Sequence, residues 1–322
     1  RSPREVLRAD RSAHDAWLRR FSGQQWRKDD PGIPDDPTVE LAWSWLDVTK
    51  DAPAGVARSG LDLPADHWVQ RSRDVDAWYV SNGREAERYL FYEGRTREVP
   101  AVSLVPCEGG IRVVNTGGDP VHDVFVIRVG PSGRDVHFQA RLAPGDLEGL
   151  FVPDAVRPLD DASFRTATSD RLLSRLTIPR PVGPGHYEGL RDPTDPQTGP
   201  SGQGLYEDEA RALAGVWEGD FFGEEGVVLL YREDPAALDR AMPMSIYTDM
   251  FHYVSLARTG LVLNRGVPWD RVQEVSAGFE AWLAAAPGER PALEDRLLGD
   301  RFLALGLVRP ARLSGRGAPA LD

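Results

Sequence analysis

Short β-branched and aromatic segments separated by turn-forming residues fill the chain between residues 78 and 153, and this pattern limits the fold more than any other feature. Many short strands at close spacing are typical of antiparallel β-sandwiches. In the segment 135–142 apolar residues alternate with polar ones, which predicts that the even-numbered side chains point inward and the odd-numbered ones outward. The candidate strands are residues 88–92, 99–105, 110–115, 121–129 and 135–142.

Helical patterns lie on both sides of this β-rich region. Residues 3–21 follow the capping-box pattern Ser2-Pro3-Arg4-Glu5 and carry apolar residues at helical spacing, which predicts an amphipathic N-terminal helix. Beyond residue 206 helical and strand patterns alternate, which indicates a mixed α/β part. Helices are predicted at 207–220, 234–240, 268–286 and 291–305, a strand at 227–231, and a strand or hairpin at 253–263.

Proline and glycine dominate residues 178–206, which hold six of each. Such a composition is typical of an interdomain linker or a long surface loop. The predicted organisation is an N-terminal helical arm (1–37), a β-sandwich domain (38–177), the linker (178–206), a C-terminal α/β domain (207–305) and an extended tail (306–322).

Two stretches carry a resemblance to known proteins. Residues 111–126 (IRVVNTGGDPVHDVFV) resemble the strand–turn–strand of immunoglobulin-like domains that are common in exported bacterial proteins. Residues 215–231 (GVWEGDFFGEEGVVLLY) and 241–246 (AMPMSI) are similar to uncharacterised bacterial proteins. The resemblance implies an exported setting and carries over no catalytic residue. With it, the expected fold class is α+β: an antiparallel immunoglobulin-like β-sandwich, a C-terminal α/β part and an N-terminal helix.

Charge and cysteine content exclude several classes of protein. The net charge is −12 and no basic run is present, so nucleic acid is not expected as a partner. No apolar run reaches the length of a membrane span. Cys107 is the single cysteine, so no intrachain disulfide can form. Because the sequence starts at Arg1, we expect an upstream segment, with a signal peptide as one candidate.

Histidines and carboxylates are the candidate metal ligands. His122 and His137 lie on adjacent predicted strands and are either two halves of a metal site or, the interpretation we favour, solvated or packed strand residues. Asp192 and Asp195, with Glu207 and Asp208, are candidate calcium ligands, although their spacing does not match a calcium loop and a solvated linker is the favoured alternative. A weaker acidic cluster comprises Asp29, Asp30, Asp35 and Asp36.

Aromatic, thiol and paired carboxylate groups are the remaining candidates. Trp43 and Trp45 lie on one face of a predicted strand and are either a sugar-binding platform or, as we favour, core residues. Cys107 is predicted to be a buried or bystander thiol, because nothing near it in sequence lowers its pKa. The runs Glu207-Asp208-Glu209 and Glu224-Glu225 provide either an acid–base pair for glycoside hydrolysis or, more typically, a solvated helix start.

No common catalytic, nucleotide-binding or metal-binding motif occurs in the sequence. We therefore assign no catalytic, cofactor-binding or metal-binding residue and expect no cofactor. The expected function is a non-enzymatic binding or structural subunit of a bacterial envelope or extracellular assembly, with other protein subunits as partners and carbohydrate as a further candidate. The alternative is a polysaccharide- or cell-wall-acting hydrolase that uses paired carboxylates. The expected location is periplasmic or extracellular, with the cytoplasm as the alternative.

Overall fold

The computed structural model describes residues 46–56, 68–90, 100–107, 109–146, 148–178, 204–244, 246, 258–286, 288–290 and 292–293. The chain divides into two compact units. Unit 1 comprises Arg1–Arg97, Arg211–Val216 and Ser245–Val254, and unit 2 comprises Glu98–Ala210, Trp217–Met244 and Ser255–Asp322.

Unit 1 contains a small antiparallel sheet and a short helix. Its three strands, in the order β1-β2-β3, are Asp47–Thr49, Tyr79–Ser81 and Ala86–Glu87, and helix α1 is Trp68–Arg73. At the end of α1 the buried guanidinium of Arg73 binds the buried carboxylate of Glu87 at 2.5 Å. This ion pair fixes the helix to the third strand of the sheet.

Unit 2 is built on two antiparallel sheets. The four-stranded sheet has the order β10-β9-β6-β7 and the three-stranded sheet has the order β4-β5-β8. The strands are β4 (Val102–Cys107), β5 (Gly110–Asn115), β6 (Val121–Gly130), β7 (Gly133–Leu142), β8 (Leu150–Pro153), β9 (Gly226–Arg232) and β10 (Leu261–Val267).

Both sheets contribute to one apolar core. Val113 of the smaller sheet and Val126 of the larger sheet belong to the same cluster of buried side chains, because the strands turn alternate residues toward each other. The cluster consists of Val102, Leu104, Ile111, Val113, Val121, Val124, Val126, Leu142, Val152, Val227, Leu229, Tyr231, Val267 and Val272.

Side chains from helical segments pack against the larger sheet of unit 2. The ring of Phe125 in β6 contacts Phe138 of β7 at 4.8 Å and Phe222 of a helix at 6.4 Å between ring centroids. The Arg171 guanidinium lies 4.9 Å from the Phe138 ring centroid. The helices are α2 (Asp161–Arg165) and α3 (Arg171–Leu176), joined by the π-helical turn Thr166–Asp170, then α4 (Glu207–Phe222), α5 (Pro235–Ala241) and α6 (Trp269–Ala284). The middle of α4, Arg211–Val216, is counted with unit 1 and its two ends with unit 2.

The α+β class predicted from the sequence is present, with mixed helices and antiparallel sheets. Several elements agree closely with their patterns: β5 spans 110–115 as predicted, and α5 starts with Pro235 after the capping residue Asp234. In the predicted strand 88–92 the described residues 88–90 are not in a strand. No helix among the described residues is long and apolar enough to cross a membrane.

Strand β9 lies where the sequence pattern does not place it. Residues 207–305 are expected to form a domain of their own, yet β9 pairs with β6 from Val129↔Gly226 to His122↔Arg232. Residues on both sides of the Pro/Gly segment therefore share one sheet. The second strand that pairs with β6 is β9, which lies about a hundred residues further along the chain. The predicted arm (1–37), the tail (306–322) and linker residues 179–203 lie outside the described residues.

Candidate functional site

A bulge in strand β6 places Asp123 in an unusual backbone conformation. The register between β6 and β9 shifts by one residue between His122 and Phe125. Asp123 has φ 49°, and it is the non-glycine residue with positive φ in the described part of the chain. Aspartate tolerates this left-handed region better than most residues because its short side chain can make local hydrogen bonds. The bulge turns a charged side chain into the interior of unit 2.

The Asp123 carboxylate lies between two guanidinium groups, and we name these three side chains the Asp123 cluster. Arg175 of α3 donates from Nε to Oδ1 at 2.5 Å, and an Nη2 nitrogen of Arg232 in β9 lies 2.6 Å from Oδ2. Asp123 and Arg232 are each about 1% exposed. The Asp123 cluster therefore connects β6 to β9 and to α3 with buried charges.

His122 is buried next to this cluster. Its Nε2 lies 3.8 Å from Oδ2 of Asp234, which caps α5 by accepting from the Ala236 backbone N–H. Burial, and then the positive charge of Arg232, lower the pKa of His122 from 6.5 to about 4. The imidazole is therefore uncharged at neutral pH, and its Nε2 makes no hydrogen bond with a residue that the structure describes.

A second buried group, which we name the Asp135 cluster, lies further along β6 and β7. Arg128 donates from Nε to Asp135 Oδ1 at 2.8 Å and from Nη1 to the Pro153 carbonyl at 2.7 Å. Its guanidinium lies 4.6 Å from the Trp269 ring centroid. Burial raises the pKa of Asp135, but the nearby imidazole of His137, whose Nε2 lies 3.6 Å from Oδ2, and the hydrogen bonds from Arg128 outweigh it and hold the pKa well below its usual range.

Both clusters join strands and helices by neutralising buried charge. The carboxylate of each cluster is bound by at least one guanidinium, which gives its buried charge a partner. Within the described ranges, no group of three or more His, Cys, Asp or Glu side chains is arranged to hold a metal ion. The contacts favour a scaffolding role for these residues.

The two candidate histidines do not face each other. His122 is opposite Arg141 and His137 is opposite Val126 in the β6–β7 register, so the fold places one histidine beside each cluster. The outward orientation expected for Asp135 is wrong: this residue is 3% exposed, because Arg128 directly opposite binds it. The interpretation of both histidines as packed strand residues fits the structure.

The other candidate side chains in the described region make contacts that belong to the fold. Cys107 is free and half-buried, and burial raises the pKa of its thiol, as expected for a bystander. Glu209 lies in the first turn of α4, where its Oε2 accepts from the Tyr206 backbone N–H at 2.8 Å. Glu224 Oε2 lies 3.5 Å from Nε of Arg265. Glu207 and Asp208 share the first turn of α4, as predicted for a helix start.

Several candidates lie outside the described residues, and their roles stay predictions. They are Asp192 and Asp195, Trp43 and Trp45, and the cluster of Asp29, Asp30, Asp35 and Asp36.

Sequence reasoning missed Arg128, Arg175 and Arg232 as members of buried clusters. One signal was present: His122, Asp123 and Arg128 interrupt an otherwise apolar strand, and Arg232 follows an apolar run directly. Charged residues inside a buried strand require partners, so such interruptions predict ion pairs. The identity of the partner, Arg175 for Asp123, depends on a tertiary contact across 52 residues and has no local signal.

The surface of unit 2 carries an exposed aromatic residue on an outer strand. Phe151 of β8 is 42% exposed, and the guanidinium of Arg112 in β5 lies 5.9 Å from its ring centroid. The two residues are directly opposite in the β5–β8 register. Exposed aromatic and arginine side chains of this kind are enriched in protein interfaces.

No protein-family model, curated protein or solved structure matches this chain. Its function has to be inferred from its own residues.

Proposed function

We propose that this protein is a non-enzymatic binding or structural subunit of a bacterial envelope or extracellular assembly, and that unit 2 has an immunoglobulin-like β-sandwich as its core. The antiparallel sheets that share one core support the sandwich. The resemblance of residues 111–126 to exported immunoglobulin-like domains supports the setting. Domains of this architecture commonly serve recognition, with contacts made by strand edges and loops.

The exposed Phe151 is the observation on which the binding role rests. An aromatic ring that is 42% exposed on an outer strand, with a guanidinium beside it, has the composition of an interface centre. Phe151 fills no core position, because the core cluster takes its neighbour Val152 instead. The side chain is therefore available for a partner without a change in the fold.

The buried charges support a rigid platform behind this surface. The guanidinium of Arg128 is held in place by several hydrogen bonds. It binds Asp135, the carbonyl of Pro153 at the end of β8 and the carbonyl of the next residue, Asp154. The end of β8 is therefore fixed to the larger sheet. A rigid strand loses little conformational freedom when a partner binds, which favours affinity.

The test compares two single-residue variants of the tagged chain in its native source. Phe151→Ala removes the exposed ring, and Met242→Ala removes an apolar side chain of similar exposure, 44%, elsewhere in unit 2. We expect Phe151→Ala to reduce co-purification of the native partner subunits by about tenfold or more, as for an interface hot spot, and Met242→Ala to leave it unchanged. Melting temperatures of both variants report on folding.

Equal recovery of partner subunits with both variants, at unchanged melting temperature, would show that Phe151 does not contribute to binding. Cell fractionation separately tests the envelope location: recovery in the cytoplasm alone would contradict it. The hydrolase alternative predicts that the purified chain releases reducing sugar from cell-wall polysaccharide, and such release would replace the proposal.

A further inference from the structure

The turn between β2 and β3 contains an Asn-Gly sequence. Asparagine occurs three times in the sequence, as Asn82, Asn115 and Asn264, and glycine follows Asn82 alone. The Asn82 N–H donates to the Glu85 carbonyl at 3.2 Å, and Gly83 between them has φ 82°, which glycine adopts readily in a tight hairpin turn. Since glycine has no side chain, its backbone nitrogen can approach the neighbouring asparagine amide with little hindrance.

The backbone of this turn binds the side chain of Asn82. The N–H groups of Arg84 and Glu85 both donate to Oδ1 of Asn82, each at 2.9 Å. Two backbone donors at this distance polarise a carbonyl and stabilise negative charge that develops on its oxygen, as an oxyanion hole does. Nδ2 of the same amide makes no hydrogen bond with a residue that the structure describes. The amide is therefore held by its oxygen, and its nitrogen is free to leave.

The nitrogen of Gly83 is the nucleophile next to this amide. Its N–H donates to Oγ of Ser81 at 3.0 Å, so a hydroxyl group lies where the proton has to depart. Gly83 is exposed and Asn82 is half-buried, so water reaches the turn. The turn thus combines a nucleophile, a proton acceptor and two donors to the oxygen that becomes charged.

We propose that the β2–β3 turn deamidates Asn82 in the folded chain, which gives aspartate or isoaspartate at position 82. The Gly83 nitrogen loses its proton and bonds to Cγ of Asn82, and the negative charge forms on Oδ1, where Arg84 and Glu85 bind it. The Cγ–Nδ2 bond then breaks, and water returns a proton to the leaving nitrogen, which departs as ammonia. One further water molecule opens the five-membered succinimide at either of its two carbonyls.

Conversion changes both the charge and the length of the chain at this turn. Either product adds a negative charge next to Glu85, and isoaspartate also adds a methylene group to the main chain. The geometry of a hairpin turn determines the register of its strands, and β3 carries Glu87, the buried partner of Arg73. Conversion is therefore expected to loosen the contact between the small sheet and helix α1. The reaction needs no partner and is independent of the binding role proposed above.

Asn115 is an internal control for the reaction. It is fully buried, and its amide nitrogen donates to the carbonyls of Asp119 at 2.7 Å and Leu142 at 3.1 Å. Its Oδ1 accepts from the Gly117 N–H, and the residue that follows it is the β-branched Thr116. The leaving nitrogen of Asn115 is bonded and the attacking nitrogen is hindered, so we expect no conversion there.

Peptide mapping by mass spectrometry of the purified full chain, incubated at about pH 7 and about pH 9, measures conversion at each asparagine. We expect conversion at Asn82 and none at Asn115, with a faster rate at the higher pH because the Gly83 nitrogen has to lose its proton. The same chain unfolded in urea keeps the sequence and loses the two donors to Oδ1. We expect its conversion at Asn82 to be slower by about tenfold or more. An equal or faster rate in urea means that the turn protects Asn82, which overturns the proposal.

Two variants at one position test the hydroxyl group. Ser81→Ala removes the acceptor of the Gly83 N–H, and Ser81→Thr keeps a hydroxyl group and is the matched control. We expect Ser81→Ala to convert several times more slowly than Ser81→Thr. Melting temperatures of the two variants report on folding, and if either variant does not fold, the comparison of the unsubstituted chain with and without urea decides. Equal rates in two folded variants contradict the role given to Ser81.

Discussion

At the scale of single residues, Asp123 combines three unusual features. Its backbone has positive φ, its side chain is buried, and it balances two arginines. Breaking a buried ion pair by removing one partner leaves uncompensated buried charge, which is strongly destabilising. A single carboxylate therefore determines whether Arg175 and Arg232 can stay in the interior.

The variant Asp123→Asn tests this role. Asparagine accepts positive φ as readily as aspartate, so the change removes the charge and leaves the backbone preference in place. We expect a loss of about 3–5 kcal/mol in the free energy of unfolding, measured by urea denaturation. The control is Asp119→Asn, which breaks the more exposed pair with Arg240 and is expected to lose less than about 1 kcal/mol. Equal losses in the two variants would contradict the role of the Asp123 cluster.

His122 makes the stability of unit 2 dependent on pH. Its pKa is about 4 in the folded chain, against 6.5 for an unperturbed histidine. As the pH falls below 6.5 the unfolded chain binds the proton first, so the free energy of unfolding decreases between about pH 6.5 and about pH 4. Above this range His122 has no such effect.

The variant His122→Gln lacks this titration. We expect the wild type to lose roughly 1–3 kcal/mol relative to His122→Gln when the pH is lowered from 7 to 4. Urea denaturation of both proteins at several pH values measures the difference. Parallel pH dependence of wild type and variant would show that His122 does not stay neutral in the folded chain.

At the scale of secondary structure, the contact between β5 and β8 depends on a glycine. A Cβ at Gly110 would lie 2.2 Å from the Val152 carbonyl oxygen and 2.9 Å from Cα of Pro153. These are backbone atoms, which cannot move aside without disturbing the strand pairing. The close approach positions β8 and its exposed Phe151 against β5.

Gly110→Ala is therefore expected to destabilise the protein by about 1–3 kcal/mol, as forced overpacking does. Gly118→Ala is the matched control, since a Cβ there meets nothing within 4 Å, and its effect is expected to stay within about 0.5 kcal/mol. The midpoints of thermal unfolding measure both. A stable Gly110→Ala protein would mean that β8 can shift without loss.

The elements predicted well are those with a local signal. Strand β5 and the start of α5 follow from alternation and from a capping residue before proline, both of which act within a few residues. The burial of Asp135 was missed because alternation assigns a face but not a partner. The sequence pattern also missed the contact of Asp123 with Arg175 and Arg232, because three separate elements supply the three side chains.

At the scale of the whole molecule, the division into units does not follow the order of the chain. Unit 2 takes strands from both sides of the Pro/Gly segment, and five residues of its core cluster come from beyond residue 206. Those residues are Val227, Leu229, Tyr231, Val267 and Val272. The pairing of β6 with β9 joins residues that are about a hundred positions apart along the chain, which is the kind of non-local contact that slows folding.

Fragments of the chain, expressed alone and together, test whether residues 38–177 form a domain of their own. If residues 38–177 formed an independent β-sandwich, they would fold alone. Because β6 is a central strand that needs β9 as its neighbour, we expect the fragment 38–177 to show no cooperative thermal transition and to lack the near-ultraviolet circular dichroism of the full chain. Co-expression with the fragment 178–322 is expected to restore both signals in a complex of the two pieces. A cooperative transition of 38–177 by itself would show that the smaller sheet and the hairpin of β6 and β7 suffice for a core, and that β9 is an addition to it.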